Sequence, residues 1–131
     1  MSKFFRFWFP PILYAILIFI LSSLSKPPIP LEIESNLLHY PEYAVLSFLL
    51  LRAFHFGKKE NVSIKNILFS FLISIFFGLS DEFHQAFVPA RVPELNDLIR
   101  DSIGTLAGLI VFILFNYFYN KWKGKQQCQT N

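Results

Sequence analysis

The chain has 131 residues, 53% of them hydrophobic and 17 of them phenylalanine, with a formal net charge of +3. A single domain of this length cannot hide that much apolar bulk from water, so the composition excludes a soluble globular domain and points to helices facing lipid. The lysines and arginines are scattered along the chain and not gathered on one face, which excludes a nucleic-acid partner.

Four apolar runs follow in order, each near the roughly 20 residues that cross a bilayer. The first covers residues 8–24, carries no charge, and is closed by Pro27, Pro28 and Pro30. Proline closes a helix because it has no backbone N–H to continue the hydrogen-bond ladder. Lys3 and Arg6 before this run and Ser23-Leu24-Ser25 after it resemble the ends of a cleavable signal. The run is longer than a signal core, however, and its removal would leave an odd number of spans, so a retained helix is expected. The second run covers residues 37–56, with Pro41 tolerated in its first turn. The third covers residues 67–88 and ends at Pro89. The fourth covers residues 97–118, with Asn96 as the expected N-cap. Beyond Asn120 a short polar end is expected, and the single Cys128 has no partner for an internal disulfide. The expected fold is therefore all-α: one domain, a compact bundle of four transmembrane helices.

Orientation follows from the basic residues. Lys3 and Arg6 precede the first span, Lys58, Lys59 and Lys65 lie between the second and third, and Lys121, Lys123 and Lys125 follow the fourth. The other two connections set Lys26 against Glu32 and Glu34, and Arg91 against Glu94. The positive-inside rule predicts a cell-membrane protein with both termini and the middle loop in the cytoplasm.

Ionisable groups inside hydrocarbon cost at least about 2.5–3.5 kcal/mol unless paired or hydrated, so those within the spans need a reason. His39 and Glu42 begin the second span, Asp81, Glu82, His84 and Gln85 end the third, Asp97, Arg100 and Asp101 begin the fourth, and Arg91 joins the last two. The predicted topology sends all of them to the outer side. Helical spacing places Asp81 on one face with His84 and Gln85 and turns Glu82 by about 100°. Two-carboxylate chemistry would thus need a partner from another helix: Glu42, Asp97 or Asp101. Asp97, Asp101, Gly104 and Gly108 share one face of the fourth span, where the glycines allow another backbone to approach.

Structural readings stand beside these. Asp81 with Arg91, and Asp97 or Asp101 with Arg100, can be ion pairs fastening helix ends, and Glu42, Asp97 and Asp101 can simply complement helix N-termini. His39 and His84 read more naturally as interfacial histidines than as metal ligands, so no metal and no cofactor is expected. Arg52 and His55 are expected to snorkel at the cytoplasmic end, and Phe69, Phe71, Phe76 and Phe77 to face lipid or fill the core.

The run Ser80-Asp81-Glu82-Phe83-His84-Gln85-Ala86-Phe87-Val88-Pro89-Ala90-Arg91, followed by Asp97, Asp101, Gly104 and Gly108, resembles the VanZ-like membrane proteins. Their signature is an Asp-Glu-x-x-Gln helix end, a Pro-Gly-Arg turn, an Asp and a G-x-x-x-G. His39 also looks like that family's histidine, and the match runs through nearly the whole chain in order and spacing. Ala90 replaces the usual glycine, and Val92, Pro93 and Glu94 depart from the small residues usual in that loop. The resemblance implies a multi-pass membrane protein from a family named for a member associated with resistance to the glycopeptide teicoplanin, and it implies no particular reaction.

Together these lines lead to membrane lipids as partners. The polar cluster is expected to bind the headgroup of an envelope lipid or lipid-linked precursor, with Arg91 and Arg100 meeting phosphate or carboxylate and Asp81, Glu82 and Gln85 fixing their geometry. A membrane-embedded hydrolase or transferase is the alternative, with Glu82 or Asp81 as general base and His84 or His39 as acid or metal ligand. The chain has no H-E-x-x-H and no G-x-S-x-G, which weighs against catalysis.

Overall fold

The computed structural model describes residues 3–24, 37–56, 61–89 and 94–129, with side chains as far as 126. They form four helices, α1 (Lys3–Ser22), α2 (His39–His55), α3 (Ile64–Gln85) and α4 (Leu95–Gln129), and no strand among the described residues. α1 begins five residues before the uncharged run, and continues through Pro10 and Pro11. α3 ends at Gln85, and the N–H groups of Ala86, Phe87 and Val88 then close a turn onto the carbonyls of Glu82, His84 and Gln85. Asn96 is not the N-cap expected of it: α4 already starts at Leu95, which puts Asn96 inside the first turn. The expected short polar end is helical too, because nothing from Asn120 to Gln129 breaks the ladder except Gly124, which is tolerated.

Ring contacts fix the relative directions. Trp8 meets Phe54 (4.9 Å between centroids), Phe54 meets Phe69 (6.0 Å), and Tyr43 meets Phe77 (6.3 Å), so α2 runs opposite to α1 and α3. Phe48 meets Phe112 (5.3 Å), and near the start of both helices His39 meets Asp101, so α2 and α4 run parallel. The helices therefore alternate in direction, and α2 touches the other three.

Polarity is inverted relative to a water-soluble protein. Phe69, Phe76, Phe83 and Phe118 lie on the exterior, whereas Ser47, Ser70, Ser74, Thr105 and Asp101 are buried. The buried residues of α3 are Ser70, Ser74, Gly78, Asp81 and Gln85, a stripe of small or polar side chains at helical spacing. This is the arrangement expected where lipid is the solvent, since apolar side chains gain little by leaving lipid and helices associate through close packing and hydrogen bonds. α1, α3 and α4 are each long and apolar enough to cross a membrane. α2, with 17 residues, is about 25 Å long and is the most enclosed; Tyr43, Ser47, Leu51 and Ala53 are fully buried.

Two apolar clusters hold the helices. Ile18, Tyr43, Leu46 and Leu50 join α1 to α2, and Leu51, Leu109 and Phe112 join α2 to α4. Between α2 and α4 runs a seam without bulk. A Cβ on Gly104 would collide with the Tyr40 carbonyl, and one on Gly108 with the Ala44 carbonyl and the Ser47 hydroxyl. The Ser47 hydroxyl, shared with its own helix at Ala44, donates across the seam to the Thr105 carbonyl at 2.9 Å. At the far end, Arg52 lies over the Phe7 ring, 5.1 Å from its centroid. His55 does not snorkel: it is 2% exposed, with its ring edge on Phe112, because the α2–α4 packing encloses it.

Candidate functional site

Alternating directions bring the start of α2, the end of α3 and the start of α4 to one end of the bundle. His39 opens α2, and its Nδ1–H donates to Asp101 Oδ1 at 2.9 Å. Its Nε2 lies 3.7 Å from Asp97 Oδ2, so both ring nitrogens face carboxylates of α4. All three side chains are buried. The contact depends on the glycine seam one turn below, since only the close approach of the two backbones lets so short a side chain as aspartate reach the imidazole. Asp97 also pairs with the Arg100 guanidinium, which stands 3.9 Å from Glu94. Arg100 is thus held among carboxylates of its own helix and its lead-in.

On α3, Gln85 Nε2 donates to Asp81 Oδ2 at 2.9 Å, an i,i+4 pair pointing inward. The other oxygen of Asp81 is buried without a hydrogen-bond partner. Glu82 is rotated away, as helical geometry requires, and its Oε2 accepts the Glu94 backbone N–H at 3.0 Å, tying α3 to the lead-in of α4. Its Oε1 is buried and unpartnered. Glu42, half-buried in the first turn of α2, lies on the same side.

His84 goes elsewhere. The Ser23 hydroxyl donates to the Phe19 carbonyl at 2.6 Å, so it accepts from His84 Nε2–H at 3.0 Å, and the imidazole lies 4.3 Å from the Phe19 ring. The face that Asp81 shares with His84 by spacing therefore splits between two neighbours: Asp81 and Gln85 point into the bundle and His84 toward α1. Arg91 and Ala90, with the rest of residues 90–93, lie outside the described residues.

Two contributors were not singled out from the sequence. Tyr43 is fully buried, its hydroxyl has no hydrogen-bond partner, and its ring lies with Asp101 Oδ2 against Gly78. Gly78 leaves the space in which Asp101 Oδ2 sits, since a Cβ there would stand 2.9 Å from that oxygen. The signal for Gly78 was present in the spacing of Ser70, Ser74, Gly78 and Asp81; Tyr43, one turn after His39, reads as an ordinary apolar-run aromatic.

Chemically, the cluster is rich in acceptors. Among the described residues, this end carries the carboxylates of Glu42, Asp81, Glu82, Glu94, Asp97 and Asp101 against Arg100, His39 and His84. The described residues contain no group of three or more His, Cys, Asp or Glu side chains arranged to hold a metal ion. The His39–Asp101 contact acts as a latch between α2 and α4, while Asp81, Glu82 and Tyr43 keep unfilled hydrogen-bonding capacity.

No curated protein and no solved structure matches the chain. The family described as VanZ/LLP1 matches residues 3–116, which take in α1, α2, α3 and most of α4, and with them every residue of the polar end. The chain therefore belongs to the VanZ/LLP1 family and is a VanZ-like membrane protein.

Proposed function

We propose that this protein crosses the cell membrane four times, with both termini cytoplasmic, and binds the polar head of an envelope lipid or lipid-linked envelope precursor at its outward polar end. By holding such a molecule it alters what reaches the cell surface, and glycopeptide susceptibility, teicoplanin included, is the trait this would touch. The observation that carries the reading is the convergence of buried ionisable groups from three helix ends, His39, Asp81, Asp97 and Asp101, beneath an exterior of exposed phenylalanines. Charged groups kept at such a cost inside lipid-facing helices mark a functional site by default. The alternating helix directions support α2 as the fourth crossing, its shorter length offset by its enclosure. The lysine distribution supports the orientation. In the acid–base alternative His39, between Asp97 and Asp101, or His84, on Ser23, would serve as the acid beside Glu82 or Asp81 as base.

Native mass spectrometry of the purified protein tests this, with the melting temperature read on the same samples. The wild type should retain a lipid, and Glu82→Gln and Arg91→Lys should lose it while keeping their melting temperatures. Wild-type protein free of lipid, or variants that lose lipid and stability together, would overturn the proposal.

A further inference from the structure

Two carboxylate oxygens of the polar end are unfilled. Asp81 is 4% exposed and its Oδ1 has no donor, and the buried Oε1 of Glu82 has none. An ionised carboxylate only accepts. The Tyr43 hydroxyl is fully buried and unpartnered, and the Tyr43 ring and Asp101 Oδ2 both border Gly78, one turn before Asp81 on α3. The one described arginine at this end, Arg100, is taken by Asp97 with Glu94 beyond it. A ligand group that fills Asp81 must therefore bring a hydrogen-bond donor, and a positively charged one compensates the buried carboxylate as well. A primary ammonium brings three N–H donors and one charge, which would offset the cost of leaving buried carboxylates uncompensated.

One turn deeper on the same helices lies a cavity of about 210 Å³, lined by Pro11 and Ala15 of α1, Leu46 and Leu50 of α2, and Ile73 and Phe77 of α3. Phe77 precedes Asp81 by four residues, and Leu46 follows Tyr43 by three. At a rise of about 1.5 Å per residue, the cavity starts roughly 5–6 Å below the unfilled acceptors. The Tyr43 ring lies 6.3 Å from the ring of Phe77, which lines the cavity. An acceptor cluster with an apolar cavity below it, at the depth where acyl chains lie, matches an amphiphile and not a free polar solute.

We infer that the molecule taken by this protein is a membrane amphiphile whose head carries a primary ammonium group, with the ammonium at Asp81 and the Tyr43 hydroxyl and an acyl chain in the cavity between α1, α2 and α3. The inference rests on the headgroup-binding reading above and names the head that reading leaves open.

The experiment uses the full chain, stripped of lipid in detergent and titrated with micelles of phosphatidylethanolamine, phosphatidylglycerol or phosphatidylcholine of equal chain length, and separately with free ethanolamine. Binding is read by native mass spectrometry. Phosphatidylethanolamine should bind at least tenfold tighter than the other two lipids, and free ethanolamine should not compete with it. Asp81→Asn should abolish the preference, and Tyr43→Phe, which keeps the ring packing, should reduce it if Asp81→Asn does not fold. Ala15→Phe, which fills the cavity from α1, should weaken phosphatidylethanolamine binding several-fold at an unchanged melting temperature. Tighter binding of phosphatidylglycerol would overturn the ammonium while leaving a headgroup site in place. Binding of no lipid would overturn both readings. Free ethanolamine matching the lipid, or Ala15→Phe without effect, would overturn the amphiphile.

Discussion

Along one face of α2 the carbonyls of Tyr40 and Ala44 occupy the space that side chains at Gly104 and Gly108 would need, whereas the face toward α1 packs through side chains and borders a cavity of about 210 Å³. The first contact is made of backbone, a serine hydrogen bond and a histidine between carboxylates, all directional. The second is made of Trp8, Ile18, Leu46 and Leu50, whose contacts are non-directional and tolerate rearrangement. The difference separates two tasks on one helix. α4 fixes where the polar groups stand, and α1 packs beside open space.

The sharpest way to break this contrast is to thicken the seam. Gly108→Leu and Gly104→Leu must push backbone from backbone, so their cost should exceed the roughly 1–3 kcal/mol of ordinary overpacking. Both should lose most folded protein, measured as monodisperse yield and melting temperature; normal yield of both would mean that α2 and α4 do not meet there. A smaller effect is expected at the latch. Asp101→Ala and His39→Ala should each cost about 1–2 kcal/mol, the upper range for polar contacts between membrane helices. The double variant should cost less than the sum, and simple additivity in thermal unfolding would show that the two side chains do not meet. The smallest effect belongs to Ser47→Ala, about 0.6 kcal/mol, as for an average interhelical hydrogen bond in a membrane. A loss comparable to that of the glycine variants would place the seam's strength in this bond and not in the close approach.

Length and apolar content made the four helices legible, and the grouping of ionisable residues at one end followed from counting spans. The inward faces were harder to read. In water a helix shows its buried side as an apolar stripe, but on α3 the apolar residues face outward and the buried stripe is Ser70, Ser74, Gly78, Asp81 and Gln85. Reading that helix required asking where the small residues recur. The divergence of His84 from Asp81 is set by Ser23 and Phe19 of α1, a tertiary choice that spacing along α3 does not contain. His55 misled for a related reason: a histidine near a helix end reads as interfacial, and only the packing of Phe112 across the seam encloses it. The length of α4 was hidden because its polar last turns carry no apolar periodicity, though helix propensity alone continues them.

The seam between α2 and α4 has a mechanical consequence. Because the two helices run parallel, sliding α4 by one turn exchanges each contacting residue for the one four positions away, and the pairs Asp97/Asp101 and Gly104/Gly108 repeat at just that interval. The slide is blocked at both limits. In one direction Arg100 would arrive at the Tyr40 carbonyl where Gly104 now lies; in the other Phe112 would arrive at Ala44 where Gly108 lies. The repeat that invites a ratchet is thus keyed at each end by a bulky residue, and α2 and α4 move as one rod.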